Sequence, residues 1–130
     1  MSMDDNFTGI QHIGIPTNDI EATIAFYQKL GFIPVLRTVN EQANEKVAFL
    51  RLHNLTIETY ENKAAEMKTG AIDHIAINCV SIEDAFSYIN KEGLNTTSDT
   101  IHFLPFWEHG VLFFAIEGPN CEKIEFSQFL

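Results

Sequence analysis

The sequence predicts an α+β fold in which one βαβββ module is written twice. Three observations predict it. The stretch Ile10-Gln11-His12-Ile13-Gly14-Ile15 returns as Ile72-Asp73-His74-Ile75-Ala76-Ile77, at an offset of 74 − 12 = 62. The offset then holds without a gap, with Ile20-Glu21 recurring as Ile82-Glu83, Lys29 as Lys91 and Gly31 as Gly93. Self-similarity at a fixed period marks a repeated structural unit. In each copy a segment of helical spacing runs into a glycine, and three short strand-like segments follow.

The elements can be justified in order. Residues 1–8 form a polar leader, expected to fray. Residues 9–16 read as the first strand. Asn18 is a candidate helix cap, with Glu21 three residues on completing a capping box. Ile20, Ile24, Tyr27 and Leu30 then recur at helical spacing, and Gly31 supplies the left-handed residue that ends a helix. Residues 32–39 form a strand in which Pro34 marks an edge or a bulge. Residues 46–52 and 55–61 are two strands joined at the hairpin signal His53-Asn54. Residues 62–70 are a linker, so one domain is expected, with module one at 9–61 and module two at 71–128. The second helix starts near Ser81 with Asp84 in the place of the box acid, buries Ile82, Ala85, Phe86 and Ile89, and ends at Gly93. Residues 95–103 hold a polar start and then a strand, residues 104–110 a loop, and residues 111–117 and 123–128 the last two strands.

Composition narrows the function. A chain of 130 residues with 45% hydrophobic residues suits one soluble domain with a real core. The formal net charge is −10, which argues against nucleic acid or an anionic membrane surface as partner. No apolar run approaches the roughly 20 residues of a membrane helix, and residues 1–6 lack the regions of a signal peptide. Cys79 and Cys121 lie far apart and read as free thiols, so a cytoplasmic location is expected.

Strand alternation then places the chemistry. If Ile13 and Ile15 pack on a helix, His12 faces the other way, and by the same rule His74 faces away from Ile75 and Ile77. Glu58, between Ile57 and Thr59, and Glu125, between Ile124 and Phe126, also oppose their neighbours. Two imidazoles and two carboxylates brought onto one face would make a site for a divalent cation. A lone inward histidine is usually a hydrogen-bonded core residue. It is the coincidence of all four, in one phase across the repeat, that points to a metal.

At these residues the chain resembles the vicinal oxygen chelate superfamily, which includes glyoxalase I, methylmalonyl-CoA epimerase, fosfomycin-resistance thiol transferases, extradiol dioxygenases and bleomycin-binding proteins. The carriers are the segment from His12 to Ile15, the helix from Ile20 to Tyr27 with Leu30-Gly31-Phe32, the strand pair Ile57-Glu58, the segment from His74 to Ile77, and the segment from Gly118 to Phe126. The resemblance implies a cupped, eight-stranded mixed sheet around one divalent metal held by His12, Glu58, His74 and Glu125. Nickel, cobalt, zinc, manganese or iron would suit that set. The ligand set and the length resemble glyoxalase I most, implying a metal-dependent lyase or isomerase that acts through an enediolate on a substrate with vicinal oxygens. Glu125 is the expected catalytic base, with Glu58 the other candidate. Asn62 follows Glu58 by four residues, as an asparagine that helps hold glutathione does in glyoxalase I. Pro16 stands where glyoxalase I has an arginine, which weakens the case for glutathione itself. A metal-dependent epimerase or thiol transferase, or a metal-free binding protein, are the alternatives.

Further expectations concern the pocket. Thr56, Tyr60, Asn78 and Lys123 share the ligands' phase and would line it. Arg37 or Arg51, the only arginines, would meet an anionic substrate group. Trp107 belongs to an aromatic loop with Phe103, Phe106, Glu108 and His109, which would close over substrate or pack on a partner. The expected partners are a small-molecule substrate, such as a thiol adduct, and a second copy of the chain. In that homodimer, the modules pair within one chain, or His12 and Glu58 of one subunit meet His74 and Glu125 of the partner subunit.

Overall fold

Side chains that satisfy backbone donors decide where the two long helices begin. The computed structural model describes residues 2–130. Its elements run α1 (Met3–Asn6), β1 (Ile13–Thr17), α2 (Ile20–Lys29), β2 (Ile33–Asn40), β3 (Glu45–Leu52), β4 (Leu55–Glu61), β5 (His74–Asn78), α3 (Ile82–Lys91), β6 (His102–Leu104), β7 (Val111–Glu117) and β8 (Lys123–Phe129). Asp19, rather than Asn18, caps α2, accepting from the Ala22 N–H at 3.1 Å. Asn18 is drawn elsewhere, because its Oδ1 accepts from the Ala65 N–H at 3.0 Å. Ser81 caps α3 as expected, accepting from the Asp84 N–H. The strand that carries each module's glutamate also reaches the helix start. Glu61 Oε2 accepts from the Ile20 N–H at 2.8 Å, and Gln128 Oε1 from the Ile82 N–H at 2.7 Å. Each of these bonds satisfies an N–H with no partner inside the helix.

The strands form two mixed sheets of four, in the orders β1-β4-β3-β2 and β5-β8-β7-β6. In each, the first strand runs parallel to the fourth and the other neighbours are antiparallel. The eight strands of the expected fold are therefore present, with their ladders closed within each module. The chain divides into two compact units between Ala65 and Glu66. In the first, Ile20, Thr23, Ile24 and Tyr27 of α2 are buried, as are Ile15, Ala48, Leu50 and Ile57 of the sheet. Tyr27 meets Phe32 edge-on at 5.1 Å. In the second, Ile82 and Ile89 of α3 are buried, while Ala85 and Phe86 are only partly covered. Phe86 meets Phe114 edge-on, and Phe114 stacks on Phe126 at 5.1 Å. Each fully buried side chain of this size contributes about 1.5–3 kcal/mol.

Four boundaries differ from the expectation by more than one residue. Residues 3–6 of the leader form one helical turn, because Ser2 accepts from the Asp5 N–H. β1 begins at Ile13, so His12 stands just before it. β5 begins at His74, three residues into the expected second module. β6 keeps only residues 102–104, since Asn95 and Asp99 spend their hydrogen bonds on a local turn. The irregularity signalled by Pro34 is real. The β2–β3 register shifts between Pro34 and Leu36, leaving Val35 as the extra residue of a bulge. No helix among the described residues is long and apolar enough to cross a membrane.

Candidate metal centre

Within the first unit, β4 alternates between buried Ile57 and Thr59 and the half-exposed Glu58. Glu58 lies opposite Gly14 in the parallel ladder. His12, two residues before Gly14, brings its Nε2 to 3.4 Å from Glu58 Oε1. Its ring meets Phe49 edge-on at 5.6 Å. In the second unit Glu125 lies opposite Ala76, two residues after His74, and His74 Nε2 stands 3.6 Å from Glu125 Oε2. The register that joins histidine to glutamate is the same in both copies.

Each histidine is oriented by the residue before it. His12 Nδ1 is 2.9 Å from Gln11 Oε1, and His74 Nδ1 is 3.0 Å from Asp73 Oδ2. Asp73 Oδ2 also accepts from Lys123 Nζ at 3.0 Å. The His74 hydrogen bond, then that of Lys123, holds the Asp73 carboxyl below its ordinary range. A carboxamide or carboxylate oxygen only accepts, so Nδ1 carries a proton, and in the neutral form of the ring Nε2 keeps its lone pair. In each pair that lone pair faces a carboxylate oxygen, an arrangement that calls for a cation or a proton between them. Two donors about 2.1 Å from one ion at a tetrahedral angle stand about 3.4 Å apart. Both pairs match that spacing, and the outer hydrogen bond on Nδ1 is the usual companion of a ligating imidazole. No group of three or more His, Cys, Asp or Glu side chains placed to hold one ion occurs among the described residues. Each pair is therefore half of the expected set of four.

Around the first pair, Tyr60 packs over Gly14, where an added Cβ would lie 3.5 Å from Tyr60 Cε1. Thr56 lies on the same face, and its Oγ1 accepts from Arg51 Nε at 3.2 Å. His12, Thr56 and Arg51 line a cavity of 390 Å³. Arg37 does not join them. It pairs with Ala48, on the helix side of the sheet, and its guanidinium holds Glu21 of α2. Asn62 is also apart. Its Oδ1 accepts from the Ala64 N–H at 2.9 Å, and it lines a different cavity with Val39, Glu45 and Lys46. Around the second pair, Asn78 shares the His74 face at the end of β5, and Lys123 is engaged through Asp73. Trp107 is well exposed and meets Phe129 edge-on at 5.4 Å. Gln11 and Asp73 were missed as supports, although the repeat sets them at equivalent positions.

The sequence profile of the Glyoxalase/Bleomycin resistance protein/Dioxygenase superfamily matches residues 9–126. "Uncharacterized protein YwbC" of Bacillus subtilis (strain 168) is 32% identical over 124 residues, covering 92% of this chain and 96% of that protein. The crystal structure of a glyoxalase family protein from Enterococcus faecalis superposes with a TM-score of 0.74 at 19% identity, covering 94% of this chain and 98% of that one. The fosfomycin resistance protein FosX of Listeria monocytogenes, solved with Mn(II) and sulfate, superposes with a TM-score of 0.70 at 17% identity, covering 95% and 93%. The duplicated βαβββ module, its four-stranded mixed sheets and this match across most of the chain agree: the chain belongs to the Glyoxalase/Bleomycin resistance protein/Dioxygenase superfamily.

Proposed function

We propose that the chain is a metal-dependent lyase or isomerase of the glyoxalase I type, its two units being the modules of a single domain. The observation that carries this reading is the duplicated pair, His12 with Glu58 and His74 with Glu125, each with Nε2 set against a carboxylate oxygen. These four side chains would together hold one divalent cation, within one chain or across a homodimer. The Mn(II) in FosX supports a divalent ion in a site of this fold.

Bound there, a divalent cation would polarise the carbonyl of a substrate with two adjacent oxygens. Glu125, seated between buried Ile124 and Phe126, takes the proton from the neighbouring carbon. Glu58 is the alternative base. Tyr60, Thr56 and Asn78 share the ligands' face and contact the substrate. Pro16, in the position of the glyoxalase I arginine, favours a thiol other than glutathione, or an epimerase or thiol transferase reaction.

Elemental analysis of the purified protein tests the cation. A protein that takes up none would instead be a binding member of the superfamily. Turnover of methylglyoxal with glutathione, and with a second small thiol, separates the lyase from the epimerase. Glu125→Gln should lower turnover at least about 100-fold while leaving the fold intact. Unchanged turnover would remove Glu125 from the role.

A further inference from the structure

The cavity beside the first His–Glu pair has two unlike walls. One is apolar, made by Val35 and Leu36 of the β2 bulge and by Phe49. The other is polar, made by His12, Arg51 and Thr56. Arg51 is fixed rather than free, because Nε donates to Thr56 Oγ1 across the β3–β4 ladder. That bond leaves the paired terminal nitrogens as the group on offer. Among the described residues no carboxylate lies within ion-pair distance of Arg51, whereas Arg37, Lys68 and Lys123 each have one. In a chain with 18 acidic and 8 basic residues, an unmatched guanidinium at a cavity wall stands out. A planar fork of this kind suits the two oxygens of a carboxylate.

We propose that this cavity binds the distal carboxylate of a short dicarboxylic acid on Arg51, while the acid's vicinal oxygens face His12 and Glu58. The proposal rests on the cation reading of the His–Glu pairs for the chelating end only. Thr56 and Glu58 lie two residues apart on one face of β4, which separates them by about 7 Å. The recognised acid therefore carries its second carboxylate two or three methylenes from the vicinal oxygens. Val35, Leu36 and Phe49 cover those methylenes. A 2-oxo acid with a second carboxylate at that distance has the required shape.

The test compares 2-oxoglutarate with 2-oxopentanoate, which keeps the chelating end and lacks the distal carboxylate. Titration calorimetry on the zinc-loaded protein should show 2-oxoglutarate binding about tenfold more tightly, or better, since a charged hydrogen-bonded pair supplies at least that factor. Arg51→Gln should erase the preference and leave 2-oxopentanoate binding unchanged. Equal binding of the two acids by the wild type, or a preference kept by Arg51→Gln, would overturn the proposal and leave the chelate intact. If the protein takes up no zinc, the chelate fails, and the arginine is read separately. Glutarate added to the metal-free protein should then shift the Arg51 Nε–Hε resonance in nitrogen-edited spectra. No shift would overturn the arginine assignment as well.

Discussion

Removing the carboxylate behind His74 should weaken cation binding by a predictable factor. Asp73 Oδ2 accepts from His74 Nδ1 at 3.0 Å and from Lys123 Nζ at 3.0 Å, so it fixes the ring and its tautomer together. Loss of such an outer partner typically lowers metal affinity about 10- to 100-fold. Asp73→Asn keeps an acceptor but loses the charge, and charged acceptors make bonds about twice as strong. It also makes module two resemble module one, where the neutral Gln11 oxygen stands at 2.9 Å from His12 Nδ1. We therefore expect about tenfold weaker zinc binding for Asp73→Asn and about 100-fold for Asp73→Ala. Gln11→Ala should cost no more than about tenfold, because a neutral bond is lost. The assay is competition for zinc against a chromophoric chelator, with His74→Ala setting the upper limit of the loss. A dissociation constant for Asp73→Ala within about twofold of wild type would refute the reasoning, since His74 would then need no support in order to ligate.

Two further outcomes concern stability. Partial burial pushes the Asp99 carboxyl up, but hydrogen bonds from His102, the Ala115 N–H and the Thr100 N–H outweigh it and hold the group below its ordinary value. Asp99→Asn should cost about 1–2 kcal/mol in urea melts above pH 5. Because the folded value is depressed, that difference should be fully present above the unfolded value of about 3.9 and shrink as pH falls through the folded one. A difference that instead grew with acidification would contradict this sign. Thr59 is fully buried, and its Oγ1 finds no hydrogen-bond partner among the described residues. Thr59→Val should raise stability by about 1 kcal/mol, and a clear loss in the same melts would show that the hydroxyl is satisfied in solution.

Much of this architecture was legible because the repeat carries its own phase. Once Ile13 and Ile75 were assigned to one face, the histidines and glutamates fell on the other, and the observed register agrees in both copies. What escaped depended on partners distant in sequence. Asn18 and Asp19 are equally good caps on paper, and only the Ala65 N–H, drawing Asn18 away, decides between them. Arg37 and Arg51 look alike as charges on neighbouring strands, and the Val35 bulge turns one toward α2. Asn62 has the spacing of a substrate contact but closes a local turn onto Ala64. Trp107 was readable as a loop aromatic, whereas its contact with Phe129 depends on the backbone turn, at φ 64°, that carries it.

The extra residue in β2 has a consequence for how this scaffold tolerates changes in strand length. With Val35 in place, Leu36 stands opposite Phe49 and Arg37 opposite Ala48. Taking Val35 out would close the bulge and leave both pairings as they are, because Pro34 already stands opposite Leu50, the neighbour of Phe49. A single-codon deletion would thus flatten the rim of the hollow while Leu36 stays on the face of Phe49 and Arg37 stays on the helix side. A bulge at an edge strand therefore absorbs the gain or loss of one residue without changing which side chains face the hollow from the rest of the strand.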